Sequence, residues 1–206
     1  MKVKFFDPIN LLLPRDRIYS RLGYAKGVTK LEGKQRQELA HYIEEALTLI
    51  ELKGAGAIMP KKDLPFESKS LSELLTGCQE AMLMAATAGN KIVDSISQDS
   101  SGKDVTRAVV FDAVASEMAD GALNWIMNYF NHQLTRENKQ FTARRFSAGY
   151  GDFLLENQKI IYDLLDLKQL GVSLSDNYLL IPEKTVTAVA GIRLKEPGEA
   201  RSEKDK

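Results

Sequence analysis

Between Lys34 and Leu52 apolar residues return every three or four positions. Leu39, Ile43, Ala46, Leu47 and Ile50 share one face, while Glu38, Glu44, Glu45 and Glu51 lie mostly away from it. This spacing predicts an amphipathic helix that packs on a core. Upstream, the apolar stretch Phe5 to Leu13 is broken by Pro8 and stopped by Pro14. Pro14 suits the first position of a short helix through Leu22, and Gly23 suits its end. The longest helical pattern runs from Val105 to about Leu134. Val109, Met118, Leu123, Trp125, Ile126 and Phe130 give it bulk, and Ala108, Ala113, Ala115, Ala119, Gly121 and Ala122 make much of it small-sided. Such a surface lets another backbone, or a ligand, come close. Ser101 to Asp104 supplies N-cap candidates for it, after a short helix expected over Asn90 to Gln98.

Strand signals fall between these helices. Gly54-Ala55-Gly56 reads as a helix break, with a strand starting at Ala57-Ile58-Met59-Pro60. Lys61 to Asp63 reads as solvated, and Glu67 to Ser72 as a polar loop. The run Glu80 to Ala88, closed by Gly89, has strand length and suits a strand buried on both faces, with Met82 and Met84 as core filler. After a charged connector over Arg136 to Gln140, Phe141 to Ser147 reads as a strand. The turn Ala148-Gly149-Tyr150-Gly151 comes next, and Asp152 is placed to cap a helix running to about Leu167. Val172 to Ile181 and Thr185 to Leu194 read as two strands joined as a hairpin at Pro182-Glu183. The highly charged end, Glu196 to Lys206, is expected to be disordered.

Composition narrows the class. The 206 residues suit one domain, taken as 1–195, with an N-terminal helical part over 1–53 and the tail 196–206 outside it. Acidic and basic residues balance at 28 each, which argues against a dedicated nucleic-acid binder. Cys78 is the only cysteine, so an intramolecular disulfide is impossible and a reducing compartment fits. The N-terminus lacks a secretory h-region, and no apolar run approaches the roughly 20 residues of a membrane helix. These features lead to an expectation of a soluble, cytoplasmic α+β domain.

The candidate chemistry is sparse. The sequence contains no P-loop, no Gly-x-Gly-x-x-Gly after a strand and no Gly-x-Ser-x-Gly elbow. His41 and His132 stand alone, without a histidine or cysteine at metal spacing, so no metal site and no nucleophilic catalysis are expected. What remains is polar. Glu117 sits mid-helix with Ala113 and Gly121 above and below it, and Asp120 and Asn124 share its face. That spacing fits either a solvated stripe or an open ligand wall. Arg145 enters the Gly149-Tyr150 turn from its strand. Glutamate and arginine match the ammonium and carboxylate of an amino acid, and only arginine grips a carboxylate bidentately.

The segment Ala143 to Asp152, with the helix Gln158-Lys159-Ile160-Ile161-Tyr162-Asp163-Leu164-Leu165, resembles the activation domain of cobalamin-dependent methionine synthase. Gly171 to Pro182 is similar to that domain's next strand and turn, Thr185 to Ala188 to the one after, and Ala115-Ser116-Glu117 to its glutamate-bearing helix. The similarity covers roughly Glu80 to Ile192 well and the N-terminal third loosely. It implies an α+β fold with a twisted, largely antiparallel sheet, flanking helices and one long central helix. The family's Arg-x-x-x-Gly-Tyr motif binds S-adenosylmethionine. Carried over, Arg145 would hold the ligand carboxylate and Glu117 its amino group. Tyr150 would pack against or hydrogen-bond the ligand, and Ala148 and Gly149 would offer backbone groups. Cobalamin would come only through a partner, a corrinoid-binding protein or truncated methionine synthase, with a flavodoxin- or ferredoxin-type electron donor. The expected function is support of reductive methylation, the reactivation of a vitamin B12 methyltransferase in methionine biosynthesis. The alternative is a non-catalytic module that clamps a corrinoid protein or senses S-adenosylmethionine. The chain departs from the family pattern in lacking a further ligand tyrosine after the last strand, and the family's N-terminal ligand aspartate finds no match. It also lacks an Asp-x-His-x-x-Gly cobalamin motif, so it resembles a free-standing activation domain rather than a complete methionine synthase.

Overall fold

A computed structural model describes residues 1–25, 28–29 and 32–195. The charged tail lies outside the described residues. Among those described, the centre is a five-stranded sheet built from β1 (Lys4–Phe6), β2 (Lys53–Pro60), β3 (Glu80–Thr87), β4 (Lys139–Phe146) and a last strand, Thr185–Leu194. That last strand is β7, and β5 (Ser173–Leu174) and β6 (Leu180–Ile181) precede it. The order across the sheet is β1-β2-β3-β7-β4, with every neighbour antiparallel.

Both faces of the sheet are covered. On one lie α1 (Arg15–Arg21), α2 (Gly33–Leu49), α4 (Asn90–Gln98) and α5 (Val105–Arg136). Ile18, Ile43, Ile92, Phe111, Leu123 and Ile126 pack there against Met82, Met84, Ala188 and Ala190. On the other face lie α3 (Lys69–Leu74), α6 (Asn157–Leu165) and the β5–β6 hairpin. There Leu71, Phe153, Ile161 and Leu165 meet Ala55, Leu83, Ala85 and Val189. Because side chains alternate along a strand, a sheet buried on both faces needs near-continuous apolar strands. β3, Glu-Ala-Met-Leu-Met-Ala-Ala-Thr, meets that requirement and is buried from Ala81 onward.

Several expectations change. Gly54 and Gly56 do not break a helix before a strand; they lie inside β2. A Cβ on Gly54 would stand 2.6 Å from Ile126 Cδ1, and one on Gly56 would stand 2.7 Å from Met82 Cε and 3.0 Å from Phe130 Cε2. Glycine there lets α5 settle onto the sheet. The polar stretch ending at Ser72 is not a loop throughout, because α3 begins at Lys69 with Ser68 Oγ accepting from Leu71 N–H at 3.0 Å. The stretch Val172 to Ile181 is not one strand joined to the next as a hairpin. It folds on itself as β5 and β6, while β7 leaves to pair with β3 and β4. The long helix is α5, and it lies along the middle of its layer.

Candidate functional site

The site is assembled where β4 crosses α5. β4 is an edge strand with an irregularity: Phe141 pairs with Ile192 and Arg145 pairs with Ala190, so β4 uses four steps where β7 uses two. An irregularity of this kind shifts which β7 residues the strand meets beyond it. Thr142 turns inward, and its Oγ1 accepts from Gly191 N–H at 3.0 Å. Since two residues are added, the facing of the strand is kept. Arg145 shares the face of Ala190, which is buried against the α5 layer.

Arg145 therefore reaches α5. Its guanidinium donates to the Asn124 side-chain oxygen and to Asp120 Oδ1. The other oxygen of Asp120 accepts from Arg17 Nη1 on α1 at 3.2 Å. One turn earlier, Glu117 Oε1 accepts from Arg21 Nε at 2.7 Å. Glu117, Asp120 and Asn124 thus form one stripe, as their spacing required. The stripe is not solvated at Glu117, which is 8% exposed. Nor is the space beside it open: a Cβ on Gly121 would lie 3.5 Å from Leu11 Cδ1, so the N-terminal segment fills the gap left by the small-sided helix.

The turn after β4 is fixed from the opposite face of the sheet. Gly149 and Gly151 have φ of +92° and +56°, a region that side chains rarely adopt. Gly149 N–H donates to the Phe153 carbonyl at 2.7 Å, and Phe153 N–H donates to the Tyr150 carbonyl at 3.0 Å. Of the backbone groups expected to face a ligand, the Gly149 N–H is already engaged. Phe153 is fully buried and stacks on Phe146 with centroids 6.0 Å apart, and Ala148 is buried near them. Asp152 does not cap the helix after it. Its carboxylate accepts from Ser68 Oγ at 2.9 Å, Lys69 N–H at 2.6 Å and Ser70 N–H at 3.1 Å, capping α3 from 80-odd residues away. The Ser70 hydroxyl, then the Ser68 hydroxyl and these N–H groups, hold its carboxyl well below the usual range. With the turn pinned, Tyr150 is left outside, 68% exposed.

Arg145 and Glu117 are thereby brought to one face of α5 in two separate pairings, Arg145–Asp120–Arg17 and Glu117–Arg21, with Tyr150 five residues beyond Arg145. The site is part-buried, with the Arg145 side chain 22% exposed and that of Glu117 10%. Two clefts lie elsewhere among the described residues. One, of about 520 Å³, runs beside Ile9, Leu11, Leu52 and Met118; the other, of about 590 Å³, lies between Leu39, Tyr42 and Val109. Arg17 and Arg21 were not anticipated. Their i, i+4 spacing on the predicted first helix is the signal that puts both on one face. His41 and His132 are exposed, and among the described residues no cluster of three metal-ligating side chains occurs. No described helix is long and apolar enough to cross a membrane.

No protein-family model and no curated protein sequence matches the chain. Among solved structures, it is similar to the crystal structure of the MetH reactivation domain bound to AdoHcy, with a TM-score of 0.66 and 14% identity over 97% of this chain and 81% of that one. The likeness is one of fold: an antiparallel sheet with flanking helices and one long central helix.

Proposed function

We propose that the protein binds S-adenosylmethionine at the Arg145–Tyr150 edge and supports reductive methylation of a corrinoid held by a separate protein. The observation that carries this reading is Arg145, bonded to Asp120 and Asn124 of α5 and followed five residues later by the exposed Tyr150. In this reading the ligand carboxylate sits on the Arg145 guanidinium and its ammonium on Glu117. Tyr150 offers an exposed ring for the adenine, at the end of the sheet where Ala148 and Gly149 bring backbone close. The fold shared with a reactivation domain crystallised with AdoHcy supports the ligand class.

The chain's own contribution is positioning. A methyl group on sulfur must approach its acceptor in line, and holding donor and acceptor in that geometry supplies most of what a protein can add. No side chain near Arg145 needs to take up a proton. The corrinoid and a flavodoxin- or ferredoxin-type electron donor belong to partners.

Titration calorimetry tests the assignment. Wild type should bind S-adenosylmethionine. Arg145→Ala should weaken binding by about 1.5–3 kcal/mol, the worth of charged hydrogen bonds, which is roughly tenfold to a hundredfold. Silence from wild type, or an unaffected mutant, removes this site from consideration. One feature favours a second reading, the non-catalytic module. Arg145, Glu117 and Asp120 are all paired internally, so the site is self-consistent without a ligand. Binding without methylation of an added corrinoid protein under reducing conditions would select it.

A further inference from the structure

The α1 arginines take no part in the proposed ligand contacts, yet they occupy the site's carboxylates. Three guanidiniums, Arg17, Arg21 and Arg145, meet two carboxylates, Glu117 and Asp120. The cluster therefore carries one positive charge in excess. Arg21 sits on Glu117, the group expected to receive the ligand's ammonium. Asp120, 38% exposed at its side chain, already holds two guanidiniums, but Glu117 is only 10% exposed, so an ammonium arriving there competes with Arg21 for a confined carboxylate.

α1 itself is anchored. Ile18 is fully buried in the α5-side core, and Tyr19 and Leu22 pack beside it. The arginine side chains are not anchored in this way: Arg17 is 56% exposed and Arg21 47%. Long cationic side chains of this exposure reach water by rotation alone. Arg21 lies at the last helical position, just before Gly23, whose φ is +84° and whose Cβ position is open space.

We propose that Arg21 is an internal surrogate for the ligand's ammonium, a side-chain gate that leaves Glu117 when an amino-acid ligand arrives. This rests on the S-adenosylmethionine reading of the site. With Arg21 withdrawn, Arg17 and Arg145 balance Glu117 and Asp120, and the remaining cluster is neutral. It then accepts the ammonium and carboxylate of the ligand's amino-acid end, which cancel, leaving the sulfonium as the one added charge. Arg17 and Arg145 both stay on Asp120. The gate makes recognition selective: a molecule with no ammonium cannot replace Arg21 on a nearly buried carboxylate, and such a carboxylate is costly to leave unpaired. Arg21 is thus a specificity-determining residue, not a structural ion pair.

Two ligands and three proteins test this. S-adenosylmethionine carries the ammonium, while 5′-methylthioadenosine has no amino-acid moiety. Arg21→Ala should bind S-adenosylmethionine roughly threefold to tenfold more tightly than wild type, on the scale of one ion pair, and should bind methylthioadenosine no better. Arg21→Lys, which keeps the competing cation, should behave like wild type. In parallel, the Nε–H signal of Arg21 in 15N-labelled wild type should lose its exchange protection as S-adenosylmethionine is added. Tighter binding of both ligands by Arg21→Ala overturns the gate, because the gain would not depend on the ammonium. Weaker binding, or a protected Arg21 Nε–H in the saturated complex, also overturns it while leaving the ligand assignment intact. If neither wild type nor Arg21→Ala binds S-adenosylmethionine while the Arg21 Nε–H stays protected, the ligand reading itself fails.

Discussion

Gly191→Ala is the perturbation that most directly probes how the fold aims Arg145. Gly191 lies in β7, opposite Ala81 on one side and the β4 bulge on the other. A Cβ there would stand 2.6 Å from Cys78 Sγ, 2.8 Å from Thr142 Cγ2 and 3.0 Å from Leu75 Cδ2. Ordinary contacts of this kind sit near 3.5–4.0 Å. All three neighbours are held: Leu75 and Cys78 are buried, and Thr142 is tied to the Gly191 amide itself. One inserted methyl in a well-packed site costs about 1–3 kcal/mol. For a chain of this length each kcal/mol lowers Tm by about 2–4 °C, so the expected fall is roughly 2–12 °C. The assay is thermal and urea unfolding followed by two spectroscopic probes. Because Thr142 starts the bulge that places Arg145 opposite Ala190, S-adenosylmethionine binding should weaken as well. Cys78→Ala removes the nearest clashing atom, so the double variant should be more stable than the sum of the two single losses predicts, by on the order of 1 kcal/mol. A Gly191→Ala protein as stable as wild type, or strict additivity with Cys78→Ala, would refute the claim that glycine is required for the bulge to close.

Two more outcomes are expected from other networks. Asp152→Asn should unpin the site turn from α3 and raise amide exchange over Lys69 to Leu74. Since the folded carboxyl titrates below its ordinary value near 3.8, its stabilisation is present above that value and lost as pH falls toward the folded value; the variant's Tm should therefore fall less than that of wild type below about pH 4. Arg107 grips Glu45 through Nε at 3.1 Å and Nη2 at 2.6 Å, bonds Asp99 through Nη1, and lies 4.2 Å from the Phe111 ring centroid. Arg107→Ala should cost about 2 kcal/mol, a buried-pair value discounted for partial exposure, seen in chemical denaturation and as faster exchange around Asp99 and the start of α5.

The helices were legible because their signals are local. The spacing over α2 and α5 places Leu39, Ile43, Leu123 and Ile126 inward, and they are buried. The strand run of β3 declared its double burial through unbroken apolarity. What escaped local reading was set by distant partners. α3 looks polar because its N-terminus is capped by Asp152, which its own neighbourhood does not contain. Gly54 and Gly56 resemble a break because the requirement for them comes from Ile126 and Phe130 on another helix. Ser175-Asp176-Asn177 is a turn signal within Val172 to Ile181, and the reading of one long strand passed over it; the chain turns there between β5 and β6.

The site shows the same division. Arg145, Glu117 and Tyr150 could be picked out by residue type and spacing, and the stripe through Asp120 and Asn124 by helical geometry. The residue opposite Arg145 could not, because its register against β7 depends on a two-residue irregularity. The partners of Glu117 could not either, because Arg21 lies 96 residues away. This has a mechanistic consequence. A pocket read from sequence is a list of groups free to meet a ligand, whereas in the folded chain each charged group of the site has already met another. Arg145 holds Asp120, Asp120 holds Arg17, and Glu117 holds Arg21. Binding at such a site is an exchange of ion pairs, and its net strength is the difference between the new pairs and the old. Arg145 is 22% exposed and is bonded to two α5 side chains at once, whereas Arg21 is 47% exposed and holds one oxygen. The exchange should therefore begin at Arg21. High salt, which screens exposed pairs more than part-buried ones, should loosen Arg21 from Glu117 before it loosens Arg145 from Asp120.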